Sequence, residues 1–247
     1  MKAILPFLLQ SLATGSLWIA MLFPLVLLAF RTARPQAARR MAVVAGLIYL
    51  DLACAMAPQT GWFRGLSWNW QGKILEVLWV LLLAALPGYS LARLGIRGRL
   101  SPGSAGPILC VVLGAVALPM VFWFQGMRMP PDRETLLFEL TMPGIAEELV
   151  FRGVFQSLLN EAFGQPWRLG QASLGWGTLL TAALFVVGHG ALFDQHLRLQ
   201  TSMFAMMFAI PPAVLLGWLR ERTGSVWPGI LVHNLVDGLP LLASRFL

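Results

Sequence analysis

The chain has 247 residues, of which 57% are apolar and only 12% charged, and its mean hydropathy is +0.72. A soluble domain of this length needs more polar surface than that composition supplies, so a soluble globular protein is excluded. The net charge of +7 comes from arginines that bracket apolar runs, a pattern of membrane topology and attraction to anionic lipid, and a nucleic-acid partner is excluded.

Apolar runs fall at 4–30, 41–57, 74–95, 105–125, 135–160, 176–193, 201–219 and 226–243. A membrane-crossing helix needs about 20 mostly apolar residues. The expected fold is therefore all-α, a polytopic transmembrane helix bundle of about eight spans forming a single membrane domain over 1–247. Residues 1–125 supply the N-terminal spans and 135–243 the core. The first run begins like a signal peptide at Met1-Lys2, but it is too long and lacks a cleavage site, so it reads as a retained span. Cys54 and Cys110 lie in apolar runs and read as small hydrophobes. Of the alternating loop sets, the one holding Arg31, Arg34, Arg39, Arg40, Arg93, Arg97, Arg99, Arg168, Arg220 and Arg222 outnumbers the one holding Arg64, Lys73, Arg128, Arg133 and Arg198. The richer set is expected to face the cytosol, with both termini on the other side. Pro143-Gly144 and Pro211-Pro212 interrupt the fifth and seventh runs and mark helix ends or breaks facing the bundle interior.

Three ionisable groups, Glu147, Glu148 and Arg152, stand within six residues of the fifth run. Charge at membrane depth is costly unless paired or wetted, so these groups must face protein or water. Glu148 and Arg152 are four apart with the acid first, the favourable order for an intrahelical ion pair. Glu147 is turned about 100° away and has no intrahelical counter-charge, which suits a general base in a partly desolvated cavity. The sixth run places His189 on the same side as Phe185, and the eighth places His233 and Asp237 four apart with Asn234 beside them. A carboxylate and a histidine can deprotonate one water while a second histidine and its polar neighbour orient a carbonyl, with Phe185 and Asn234 as substrate-positioning candidates. That chemistry is peptide-bond hydrolysis. No cofactor is needed; the alternative is a zinc held by Glu147, His189 and His233, although the local H-E-x-x-H arrangement is absent.

The runs Glu147-Glu148-Leu149-Val150-Phe151-Arg152 (EExxxR), Phe185 to His189 (FxxxH) and His233 to Asp237 (HxxxN/D) resemble, in order, the motifs of the CPBP family of intramembrane proteases. That family includes the Rce1-type enzymes that trim prenylated CAAX proteins, and bacterial members linked with bacteriocin immunity or peptide maturation. The resemblance implies that Glu147 and His189 activate water, that His233 and Asp237 assist at the carbonyl and oxyanion, and that Glu148 and Arg152 complete the polar framework. Asp237 stands where CAAX-cleaving members typically carry Asn; protonated it donates to an oxyanion, ionised it orients His233. The expected substrate is a membrane protein or peptide, lipidated or not, cleaved in a bacterial inner membrane at a site opening toward the cytosol. The same buried groups also suit a proton- or ion-coupled transporter, or a non-catalytic scaffold or immunity protein.

Overall fold

The computed structural model describes residues 5–124 and 131–246, with side chains described for 5–117 and 131–244. Met1-Lys2 and Arg128 of the sequence reading lie outside the described residues. The N-terminal half holds α1 (Leu5–Ala29, continued by a 3-10 turn to Thr32), α2 (Ala37–Ala55), α3 (Trp70–Ala85) and α4 (Ala105–Phe124). A short α5 (Arg133–Glu139) and α6 (Met142–Glu147) lead into a π-helical segment, Glu148–Phe155, that runs on as α7 (Gln156–Phe163). Strands β1 (Trp167–Leu169) and β2 (Ala172–Leu174) form one hairpin before α8 (Trp176–Gly190). Strands β3 (Ala191–Phe193) and β4 (Leu199–Thr201) form another before α9 (Met203–Thr223) and α10 (Trp227–Phe246).

The expected eight-span bundle is not what the chain builds. Among the described residues, two helices are long and apolar enough to cross a membrane, Leu5–Thr32 and Met203–Thr223. Two of the other runs fall short for physical reasons. The 15 residues of α8 rise only about 22 Å against an apolar thickness of about 30 Å. The fifth run is divided among α5, α6, the π segment and α7, with Pro143 in the first turn of α6, where its missing N–H costs nothing. By contrast α9 continues through Pro211-Pro212. The all-α expectation also gives way to two antiparallel hairpins. In the first, Gly170 (φ +61) makes the two-residue turn that pairs Leu169 with Ala172. In the second, Asp194 Oδ1 accepts from the backbone N–H groups of His196 and Arg198, which closes the loop between Phe193 and Leu199.

Residues from both halves share one core. Trp18 and Leu22 of α1, Ile48 and Leu52 of α2, and Trp79 and Val80 of α3 pack with Val154, Phe155, Leu158, Leu184 and Phe185. Trp18 Nε1 donates to Ala191 O at 2.6 Å, which ties α1 to β3. Packing of α3 on α6, and of α10 on α4, α6 and α9, brings the motif-bearing segments together. Outside this core the surface stays apolar: Leu5, Phe23 and Leu27 on α1, Leu82 on α3, Leu113 on α4, and Met203, Phe204 and Val214 on α9 are all exposed. Apolar area on that scale marks a surface that meets lipid or a partner rather than bare water.

Candidate active site

Glu147 ends α6, and Glu148 and Arg152 open the π segment. Single π turns inside helices widen the ring of backbone hydrogen bonds and often occur where function needs side chains re-aimed. Glu148 is fully buried, and its two oxygens are divided between partners. Oε2 stands 3.5 Å from Arg152 Nε, and Oε1 accepts from His233 Nδ1 at 3.0 Å. Buried Arg152 also lies 4.4 Å over the Phe185 ring and donates from Nη2 to Ala213 O at 3.4 Å. Gly229 of α10 permits this arrangement, since a Cβ there would meet Glu148 Oε2 at 2.9 Å.

His233 is the hub. Its Nε2 lies 3.4 Å from Asp237 Oδ2 and 3.8 Å from Glu147 Oε2, while Nδ1 is held by Glu148. Both ring nitrogens thus face carboxylates, an arrangement in which the protonated ring donates twice. The 3.8 Å gap exceeds a direct hydrogen bond, and among the described residues Glu147 Oε2 is buried with no hydrogen-bond partner. Glu147 Oε1 is instead held by Lys73 Nζ at 3.1 Å. Asn234 Oδ1 accepts from Gly144 N at 2.9 Å and pins the start of α6 to α10. A side chain at Gly144 would collide with Asn234 and with Ile230 O, so only glycine fits this approach.

Phe185 and His189 sit one turn apart on α8, with ring centroids 4.2 Å apart. Phe185 also meets the His233 ring edge-on at 5.9 Å, so it forms the wall between the two histidines. His189 Nδ1 donates to Phe185 O at 2.8 Å, which leaves Nε2 as the ring's acceptor. His189 is exposed and lies more than 4.0 Å from any Glu147 oxygen among the described residues. The structure thus gathers Glu147, Glu148, Arg152, His233 and Asp237 into one connected network, with His189 at its open edge.

The family model of type II CAAX prenyl endopeptidase Rce1-like proteins matches residues 134–239. This stretch is an Rce1-like domain. No curated protein and no solved structure matches the chain. The Rce1-like domain marks a protease-type enzyme, and with the two long apolar helices it associates the chain with a membrane.

A zinc does not fit this Rce1-like domain as arranged. Among the described residues, no group of three or more His, Cys, Asp or Glu side chains could hold a metal ion. Three of the residues that the sequence reading missed come from outside the matched stretch. Lys73 and Glu76 of α3 pair at 3.1 Å, and buried Asp51 of α2 lies with them. The signal was present, since each is an ionisable residue beside or inside an apolar run and Lys73 precedes Glu76 by one helical turn. Glu139 at the end of α5 was also passed over. Burial and the nearby Asp237 and Glu147 carboxylates push its carboxyl up to about 7.

Proposed function

We propose that the protein is an intramembrane endopeptidase that hydrolyses a peptide bond in a membrane-associated protein or peptide, with Glu147 as general base. The observation that carries this reading is the geometry of Glu147: one oxygen fixed by Lys73, the other buried, unpartnered and 3.8 Å from His233 Nε2. A water seated between Oε2 and a scissile carbonyl would lose its proton to Glu147 as its oxygen attacks the carbon. His233, held by Glu148 and Asp237, would donate to the oxyanion as the tetrahedral intermediate forms. Collapse breaks the C–N bond, and the proton on Glu147 passes to the leaving amine. His189 Nε2, an acceptor at the open edge, would hold the attacking water or the substrate from the other side. Asp237 in this scheme orients His233 through its 3.4 Å contact to Nε2.

Purified protein is expected to cleave a membrane peptide, and Glu147→Gln to lose about a hundredfold or more of kcat while keeping its thermal melt. His189→Ala is expected to lose turnover as well. Full activity in both variants would remove the assignment. A second reading, a proton-coupled transporter, is favoured by the run of ionisable groups from Asp51 and Glu76 through Lys73 to Glu147. Proton-driven uptake by reconstituted vesicles that survives loss of peptidase activity would support it.

A further inference from the structure

A second polar site lies away from the catalytic network, where the C-terminal ends of α1 and α9 come together. Arg34 after α1, Arg93 after α3, Ser157 and Glu161 of α7, and Arg220 and Glu221 of α9 line a cavity of about 190 Å³. Its acids are already engaged. Glu161 is gripped by Arg93 and Arg40, with Arg93 Nε at 2.6 Å from Oε1. Glu221 accepts from Gln156 at 2.7 Å and Asn160 at 2.9 Å on Oε1, and from Gln165 at 2.6 Å on Oε2.

Two of the bases have no acidic partner. Among the described residues neither Arg34 nor Arg220 has a carboxylate within 4.0 Å. Arg220 reaches only Ser157 Oγ, at 3.3 Å, and its Nε is buried with no acceptor. Each of these guanidinium groups lies against a glycine with positive φ. A Cβ at Gly164 (φ +84) would stand 3.2 Å from Arg34, and one at Gly95 (φ +72) would collide with Arg220. The backbone N–H of Arg34 is in turn fixed on Ala162 O at 2.9 Å. Three guanidinium groups therefore line the cavity beside two satisfied carboxylates, with Arg40 bracing Glu161 from outside the lining, and the excess positive charge faces a cavity with donors to spare.

We propose that this cavity binds a phosphate group. A phosphate carries up to two negative charges and several strong acceptor oxygens, which matches two open guanidinium forks and the Ser157 hydroxyl. The cavity is lined by arginines from the C-terminal ends of both long apolar helices, where a bilayer crossed by those helices would present its headgroup phosphates. A soluble phosphate ester offers the same chemistry.

The test uses the intact chain purified in neutral detergent, at physiological ionic strength, where fields beyond about 8 Å are screened. Titration with inorganic phosphate is one arm; flotation with phosphatidylcholine vesicles, with and without phosphatidate, is the other. Binding in the first arm that competes with the second identifies a soluble phosphate ligand, and binding confined to phosphatidate vesicles identifies a lipid headgroup. In whichever arm binds, Arg34→Gln with Arg220→Gln is expected to weaken affinity about tenfold or more. Arg39→Gln, which removes the same charge from an exposed position outside the cavity, is expected to change it less than about twofold. Should the double variant lose its thermal melt, Arg34→Gln alone, at an exposed side chain, carries the comparison. An equal loss in Arg39→Gln, no loss in the cavity variants, or no binding in either arm would overturn the proposal.

Discussion

Lys73 changes how Glu147 is understood, because a base with one oxygen tied down presents the other in a fixed direction. The 3.1 Å contact spans 74 positions of sequence, and the same ammonium lies 3.1 Å from Glu76, so it is itself held in place. Lys73→Met is expected to lower kcat by about ten- to a hundredfold with little change in KM, because it misplaces a group that acts in the chemical step. Steady-state kinetics on one membrane peptide would check the split. Glu139 gives a pH signature instead. Its carboxyl is raised to about 7, so between about 4.5 and 7 the folded state binds more protons than the unfolded state. Stability from this group is therefore full below about 4.5 and is lost as pH rises through about 7. Glu139→Gln is expected to flatten the melting temperature over that window and to raise it above pH 7 relative to the parent, as thermal melts in detergent at several pH values would show.

At the scale of elements, the π segment is the part on which the site depends. It places Glu148 and Arg152 on successive turns and leads into Gln156 at the start of α7, and these side chains meet His233 of α10 and Ala213 O and Gly217 O of α9. Removing one member of a buried ion pair strands the other charge, a loss of about 3–5 kcal/mol. Arg152→Leu is therefore expected to destabilise the fold on that order and to abolish activity through Glu148 and His233, with chemical denaturation as the measurement. Helical periodicity alone could state that Glu148 and Arg152 share a face. It could not state that the helix widens there, since a π turn is chosen by what packs around it.

At the scale of the molecule, the stretch matching the Rce1-like family is only part of the folded unit. Trp18, Leu22, Ile48, Trp79 and Val80 belong to the same core as Phe155 and Phe185, and Lys73 reaches Glu147 from that side. A fragment of residues 131–247 is therefore expected not to fold and to be inactive even in detergent. Circular dichroism melts and limited proteolysis of the fragment beside the full chain would check it, and a cooperative melt in the fragment would contradict the shared core.

The sequence by itself determined a largely helical, apolar chain and singled out the acid, basic and imidazole groups, because composition and helical spacing are local properties. It overcounted membrane-length helices, since an apolar run shows how much surface avoids water but not whether lipid or protein covers it. Only the tertiary structure decided that α8 stops after 15 residues, that two hairpins interrupt the helices, and that Asn234 serves the backbone of Gly144. It also decided the partners of Glu147 and the grouping of arginines from distant segments around one cavity, since such contacts depend on which helices pack together.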